Sequence, residues 1–178
     1  MAGELSTLDL AALGLGGGQV KRFDARLKID PLRFGGETYL VEPDPFQARV
    51  EVGRMAGPGF EMRLSFEATL VGPCVRCLKE AHVHLAVSAH ELHSPGEGEE
   101  LDSPYVTAGL LDLAAWARDA FVLSLPTKIL CDPDCKGLCP ICAADLNAAG
   151  ADHRHDQPTD PRLAALSALR RQLEEAGF

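Results

Sequence analysis

Phe60-Glu61-Met62-Arg63-Leu64-Ser65-Phe66-Glu67-Ala68-Thr69-Leu70-Val71-Gly72-Pro73-Cys74-Val75-Arg76-Cys77-Leu78-Lys79-Glu80-Ala81-His82-Val83-His84-Leu85-Ala86-Val87-Ser88-Ala89-His90 alternates apolar and polar residues on both sides of one short turn. Phe60, Met62, Leu64, Phe66, Ala68 and Leu70 share one face, and Glu61, Arg63, Ser65 and Glu67 the other. After the turn, Val83, Leu85, Val87 and Ala89 alternate with His82, His84, Ser88 and His90. A period of two is the mark of a strand with one buried face. Two long strands joined by a short link form an antiparallel hairpin. Cys74 and Cys77 stand at its tip, an exposed and rigid corner of a sheet.

The same alternation appears upstream. Phe23, Ala25, Leu27 and Ile29 alternate with charged residues, and Phe46, Ala48, Val50 and Val52 repeat the pattern. Pro43, Pro45, Gly57, Pro58 and Gly59 punctuate the chain between strands. Residues 1–18 end in Gly14-Leu15-Gly16-Gly17-Gly18, a flexible turn without the Lys-Ser/Thr ending of a phosphate loop. Residues 94–104 read as a loop, and Tyr105-Val106-Thr107 as a short strand. Asp112 is placed to cap a helix whose inner face uses Leu113, Trp116 or Ala117, Ala120 and Phe121, and which Pro126 ends. A final helix begins at Asp160-Pro161, carries Leu163, Leu166, Leu169 and Leu173 on one stripe, and stops at Gly177.

The six cysteines fall into three close pairs: Cys74 and Cys77, Cys131 and Cys135, Cys139 and Cys142. His153 and His155 make a fourth pair of candidate ligands. Thiols at two- and three-residue spacing suit tetrahedral metal binding, most often zinc, and eight ligands are enough for two ions. Loop-closure entropy favours Cys139, Cys142, His153 and His155 as one compact local site. Cys74, Cys77, Cys131 and Cys135 then form the other, clamping the hairpin tip to the segment after the central helix. The rival division joins Cys74 and Cys77 to Cys139 and Cys142, with Cys131, Cys135 and the histidines on the second ion. A single site with spare cysteines is the third arrangement.

Other chemistry fits less well. A redox thiol pair belongs at a helix start after a strand, whereas Cys74 follows Gly72-Pro73 at a hairpin tip. No His-Glu-x-x-His or His-x-Glu…Cys-x-x-Cys pattern is present for catalytic zinc. His82, His84 and His90 share a strand face that reads as solvated. The net charge of −9 excludes a grip on nucleic acid by bulk attraction. The acidity concentrates in residues 91–112, where Glu91, Glu97, Glu99, Glu100, Asp102 and Asp112 meet no Lys or Arg. Local basic contacts remain open: Lys21, Arg22, Arg26 and Lys28, Arg76 and Lys79, Lys136, and Arg170 with Arg171. Arg76 and Lys136 are the preferred partner-binding residues, because they would project from metal-bound turns. No run of about eighteen apolar residues exists to span a membrane. The N-terminus lacks a secretory pattern, so a reducing cytoplasm is expected.

Several motifs together resemble the YceD family of bacterial proteins, also called DUF177. They are Gly72-Pro73-Cys74-Val75-Arg76-Cys77-Leu78, Asp112-Leu113, Leu125-Pro126 with Ile129-Leu130-Cys131, Cys135-Lys136-Gly137-Leu138-Cys139-Pro140-x-Cys142 with Asp145-Leu146-Asn147, and Asp160-Pro161-Arg162-Leu163-Ala164-Ala165-Leu166. The similarity covers most of residues 60–173 and leaves the N-terminal third diffuse. Ala143 stands where the family commonly has glycine, and His153-Arg154-His155 where it commonly has Cys-x-Cys. Imidazoles in place of thiolates keep zinc competence and change the charge of the site. The resemblance implies a role in large-subunit ribosomal RNA accumulation, hence in ribosome assembly or rRNA processing.

The expected fold is α+β: a mainly antiparallel β-sheet with a long hairpin carrying the Cys-x-x-Cys tip, one central helix, a zinc-bound Cys-rich segment and a C-terminal helix. Residues 1–126 form the β-rich part and 127–178 the Cys-rich segment and last helix, packed as one unit with it. The expected function is non-catalytic: binding of rRNA, a ribosomal protein or a processing factor in the large-subunit precursor. The alternative is an adaptor that docks a basic partner through its acidic loop, and behind it a thiol redox or RNA-processing enzyme. No small-molecule substrate is evident.

Overall fold

In the computed structural model, which describes residues 5–96, 101–150, 153–155, 166, 172 and 173, the chain divides into two compact units, Met1–Gly137 and Leu138–Phe178. The first unit takes in residues 127–137, and with them Cys131 and Cys135.

Its centre is the strand β6, Phe60–Pro73. One edge of β6 pairs along its whole length with β7, Glu80–His93, in unbroken antiparallel register from Phe60 opposite His93 to Pro73 opposite Glu80. The other edge is shared. Residues 60–66 pair with β5, Phe46–Arg54, and residues 69–71 with β4, Glu37–Glu42. β2, Val20–Leu27, extends the sheet beyond β5, and β3, Leu32–Phe34, extends it beyond β4.

The alternation in sequence is the alternation in burial. Phe46, Ala48, Val50 and Val52 of β5 and Phe60, Met62, Leu64, Phe66, Ala68 and Leu70 of β6 are buried. Burial of each large side chain contributes about 1.5–3 kcal/mol relative to exposure. The helix α1, Leu113–Leu123, buries Leu113, Trp116, Ala117, Ala120 and Phe121, and Phe121 stacks on Phe66 at 6.4 Å between ring centroids. Asp112 caps α1 by accepting from the Ala115 N–H at 2.9 Å. The helix closes at Ser124, two residues before Pro126, with the Ser124 hydroxyl donating to the Ala120 carbonyl.

The N-terminal third is more structured than its sequence suggests. β1, Thr7–Asp9, pairs with β9, Leu110–Asp112, which also pairs with β8, Val106–Thr107, in a second small sheet. Leu10 is buried, and the Ser6 carbonyl accepts from the Leu113 and Ala114 N–H groups at the start of α1. β3 and β4 form a hairpin turned by Gly35 and Gly36, both at positive φ, as a two-residue hairpin turn requires. The first long strand ends at Leu27, so Ile29 is buried beyond the ladder and not within it.

Leu166, Gln172 and Leu173 are helical, with both leucines exposed. The rest of the expected final helix, with Asp160, Pro161, Arg170, Arg171 and Gly177, lies outside the described residues. Among the described residues no helix is long and apolar enough to cross a membrane.

Gly72 lies one residue from the end of β6, directly beneath the buried Tyr39 ring. An added Cβ would fall inside that ring, which cannot swing away because the Tyr39 hydroxyl donates to the Pro73 carbonyl at 3.0 Å. Gly72→Ala is therefore expected to destabilise the first unit by about 1–3 kcal/mol, the usual cost of overpacking, read from urea unfolding.

Candidate metal centres

The turn between β6 and β7 is a knuckle with a definite hydrogen-bond pattern. The Cys74 N–H donates to Lys79 O at 2.7 Å, and the Leu78 N–H donates back to Cys74 O at 3.0 Å. The Arg76 N–H points at Cys74 Sγ at 3.4 Å. Leu78 closes the knuckle in the left-handed region, at φ 61°.

The same pattern recurs at Cys139. Its N–H donates to Ala144 O and its carbonyl accepts from Ala143, both at 2.8 Å. The Ile141 N–H points at Cys139 Sγ at 3.5 Å, and Ala143 has φ 57°. Ala143 thus occupies the position whose backbone favours glycine, and Leu78 is its counterpart in the first knuckle.

Four side chains meet at each knuckle. Cys74, Cys77, Cys131 and Cys135 bring their sulfurs within 4.8 Å of one another, as do the donor atoms of Cys139, Cys142, His153 and His155. The four pairs therefore come together as loop closure favours, and not in the ribbon-like division. The first cluster lies in the first unit and the second in the second. Both could hold a metal ion.

The spacing suits one. A tetrahedral ion with four sulfurs at about 2.3 Å has ligand–ligand edges of about 3.8 Å. Cys74 Sγ lies 3.8 Å from Cys135 Sγ, and Cys77 Sγ lies 3.4 Å from Cys131 Sγ. In the second cluster Cys142 Sγ is 3.6 Å from His153 Nε2, which is 3.0 Å from His155 Nε2. Both histidines turn Nε2 inward, a choice of nitrogen that spacing in sequence cannot reveal.

Contacts besides the thiols hold the first cluster together. The Val75 N–H donates to Ile129 O at 2.9 Å, and the Arg76 guanidinium donates to Cys135 O at 2.6 Å. Gly137, at φ 81°, lets the chain pass where a Cβ would lie 3.0 Å from Arg76 O. Cys74, Cys77 and Cys135 are buried and Cys131 is exposed, while in the second cluster Cys139 is buried and Cys142 exposed. Arg76 and Lys136 are exposed on the two segments that meet at the first cluster.

The thiols do not ionise alike. Burial opposes a Cys74 thiolate, but backbone donors including the Cys77 and Arg76 N–H groups outweigh it and bring the thiol down to about 6. Cys131, bonded to the Cys77 sulfur and crowded by burial and the other thiols, is pushed up to about 12. The Lys79 N–H favours a Cys77 thiolate, yet burial and the Cys135 and Cys74 sulfurs push that thiol up. In the second cluster His153 and the Cys142 and Ile141 N–H groups bring Cys139 down to about 6. One thiol in each cluster is thus eased toward the thiolate, while in the first cluster Cys77 and Cys131 hold their protons more tightly. A divalent cation would take the place of those protons.

The histidine face, Arg22, Lys28 and part of the acidic stretch are engaged in other ways. His82, His84 and His90 lie exposed on β7 beside Glu80, Thr69 and Glu61, at 2.9, 3.3 and 3.0 Å. They belong to neither ligand cluster. Arg22 pairs with Glu51, and Lys28 with Asp44. Within the acidic stretch, Asp112 serves α1 as its cap and Asp102 lies 3.6 Å from His93 Nδ1. Glu97, Glu99 and Glu100 lie outside the described residues.

The family model described as "Large ribosomal RNA subunit accumulation protein YceD" matches residues 62–170. The chain belongs to the YceD family. The match runs from β6 through both ligand clusters. A Mycobacterium tuberculosis protein, Rv2926c, is 32% identical over 169 residues, covering 90% of this chain and 79% of its own. A Mycobacterium leprae protein, ML1660, is 33% identical over 108 residues, covering 57% of this chain and 49% of its own. YlbN of Bacillus subtilis is 25% identical over 159 residues, covering 86% of this chain and 90% of its own. No solved structure matches. The YceD name carries a role in accumulation of the large ribosomal RNA subunit.

Two outcomes are expected. Ala143→Gly relieves a left-handed alanine and is expected to slow metal release from the second cluster severalfold, equivalent to about 0.5–1 kcal/mol, in a chelator-competition assay. Protons compete with the ion for the Cys77 and Cys131 sulfurs. Metal affinity of the first cluster should therefore fall steeply from about pH 8 to about pH 6, and loading the metal-free protein should release acid into weakly buffered solution.

Proposed function

We propose that both clusters hold zinc and that the protein is a non-catalytic, cytoplasmic factor for accumulation of the large-subunit ribosomal RNA. Borderline-soft zinc suits an all-sulfur set and a mixed sulfur–imidazole set alike, and closed four-ligand sites of this kind are structural. Cys74, Cys77, Cys131 and Cys135 would hold the first ion, and Cys139, Cys142, His153 and His155 the second. Each ion would supply a cross-link between its four ligands.

The observation that carries the reading is the convergence of the hairpin tip and residues 129–137 on one cluster. The two segments already meet, the Val75 N–H donating to Ile129 O and the Arg76 guanidinium to Cys135 O. The two segments present Arg76 and Lys136, with the exposed apolar residues Val75 and Leu78. Cations on a rigid turn meet phosphates without first losing backbone freedom. Local basic contacts of this kind offset an acidic chain's poor bulk attraction for RNA. The surface would engage rRNA, or a ribosomal partner, in the large-subunit precursor.

The test is co-sedimentation of the tagged protein with large-subunit precursors, with and without nuclease. Association is expected, and Lys136→Glu should weaken it severalfold while leaving the metal content at two ions per chain. Loss of the association after nuclease identifies RNA as the contact, and its persistence identifies a ribosomal protein. No association with the precursors, or one unchanged by Lys136→Glu, would overturn the role given to this surface. Cys131→Ser should lower the metal content to one ion per chain, and unchanged content by elemental analysis would remove the assignment of the first centre.

A further inference from the structure

β7 is an edge strand. It pairs with β6 along its length, and among the described residues no strand pairs with its other side. Edges are ordinarily guarded by Lys, by Pro, by a bulge or by a short length. None of these four is present here, and the one inward-facing carboxylate, Glu91 opposite Met62, stands near the strand's far end. Residues 80–93 contain no Lys, Arg or Pro, and the ladder to β6 has no bulge.

The direction of its backbone groups follows from the turn. Cys74 N–H donates to Lys79 O, so the 74–79 pair is hydrogen-bonded and alternate pairs beyond it are too. Pro73 opposite Glu80 then falls on a non-hydrogen-bonded pair, as its missing N–H requires. The N–H and C=O groups of Ala81, Val83, Leu85, Val87 and Ala89 therefore turn toward β6. Those of His82, His84, Ala86, Ser88 and His90 turn toward the open edge.

The inner face beside this edge is incompletely covered. Val83, Leu85 and Ala89 are only half-buried. A groove runs between β7 and α1, lined by Ala89, Glu91, Tyr105, Trp116, Ala120 and Leu123. Leu123 is 85% exposed. The edge thus offers a row of unpaired backbone groups beside a flank that mixes the apolar Ala89 and Leu123 with the polar Ser88, His90 and Glu91.

We propose that β7 pairs with β7 of a second copy, antiparallel about a twofold axis through Leu85, joining the two sheets. In that register Ala81 faces Ala89, Val83 faces Val87 and Leu85 faces Leu85, so every inner pair from 81 to 89 is apolar. On the outer face Glu80 meets His90, His82 meets Ser88 and His84 meets Ala86. Glu80 opposite His90 is a complementary pair on either side of the axis, and no two like charges stand directly opposite. A second copy supplies this complementarity by symmetry, as an isologous interface demands. Side chains of the added strand would also cover the flank at Leu123.

The test uses the full chain as purified. Sedimentation equilibrium should show a monomer–dimer equilibrium. Hydrogen exchange should show the amides of His82, His84, Ala86, Ser88 and His90 gaining protection as concentration rises. Ala86→Pro removes a donor facing the open edge and none facing β6, so it should give a monomer with unchanged circular dichroism and metal content. A monomer at every concentration would overturn the proposal, including one whose edge amides become protected only on adding another protein. So would a dimer whose edge amides exchange as fast as the monomer's. The wild-type exchange measurement decides the matter even if Ala86→Pro fails to fold.

Discussion

The unbroken ladder between β6 and β7 is the constraint on which the rest of the first unit depends. Its register runs from Phe60 opposite His93 to Pro73 opposite Glu80. A slip by one residue would turn Met62, Leu64 and Leu70 out of the core and Glu61 and Arg63 into it. Burial on one face therefore locks the register, and the register locks the tip. Tyr39 over Gly72 fixes β4 against the last turn of the ladder, and Phe66 under Phe121 fixes the helix. Cys74 begins one residue beyond the ladder, so its sulfur inherits the rigidity of the sheet.

The two clusters apply one local device to two different tasks. In both, the first cysteine of the knuckle accepts from the residue four ahead and donates to the residue five ahead. In both, a left-handed residue follows the second cysteine. Cys74 and Cys77 then meet partners more than fifty residues away, Cys131 and Cys135. Cys139 and Cys142 meet histidines on the next loop. An ion in the first would close a long chain loop, which an unbridged chain closes at greater entropic cost. An ion in the second would organise a segment in which, among the described residues, Cys139 alone is buried.

Much of this was legible in the sequence, because it rests on periodicity and spacing. Alternation identified the strands that became β5, β6 and β7, since a half-buried strand must alternate. The Leu113–Trp116–Ala117–Ala120–Phe121 face followed from the helical repeat. The grouping of cysteines followed from loop length. The hairpin of β3 and β4 was written in Gly35-Gly36 between two short apolar runs, but the runs are too short for alternation to register. β1 and the buried Leu10 had no local signal, because they are ordered by β9 and α1 from beyond residue 105. The left-handed Leu78 carries no mark in its residue type, since the conformation comes from closure of the knuckle.

The sequence by itself determined that long strands flank a pair of thiols, that four ligand pairs exist, and that the chain resembles YceD. Those properties depend on residue type and nearest neighbours. Only the tertiary structure decided that Arg76 reaches the Cys135 carbonyl, that both histidines turn Nε2 inward, and that β7 stands at an edge. The first and the last depend on which distant segment lies alongside, which burial of the whole sheet settles, and the second on how the loop from Cys139 to His155 closes on itself, which no residue type records.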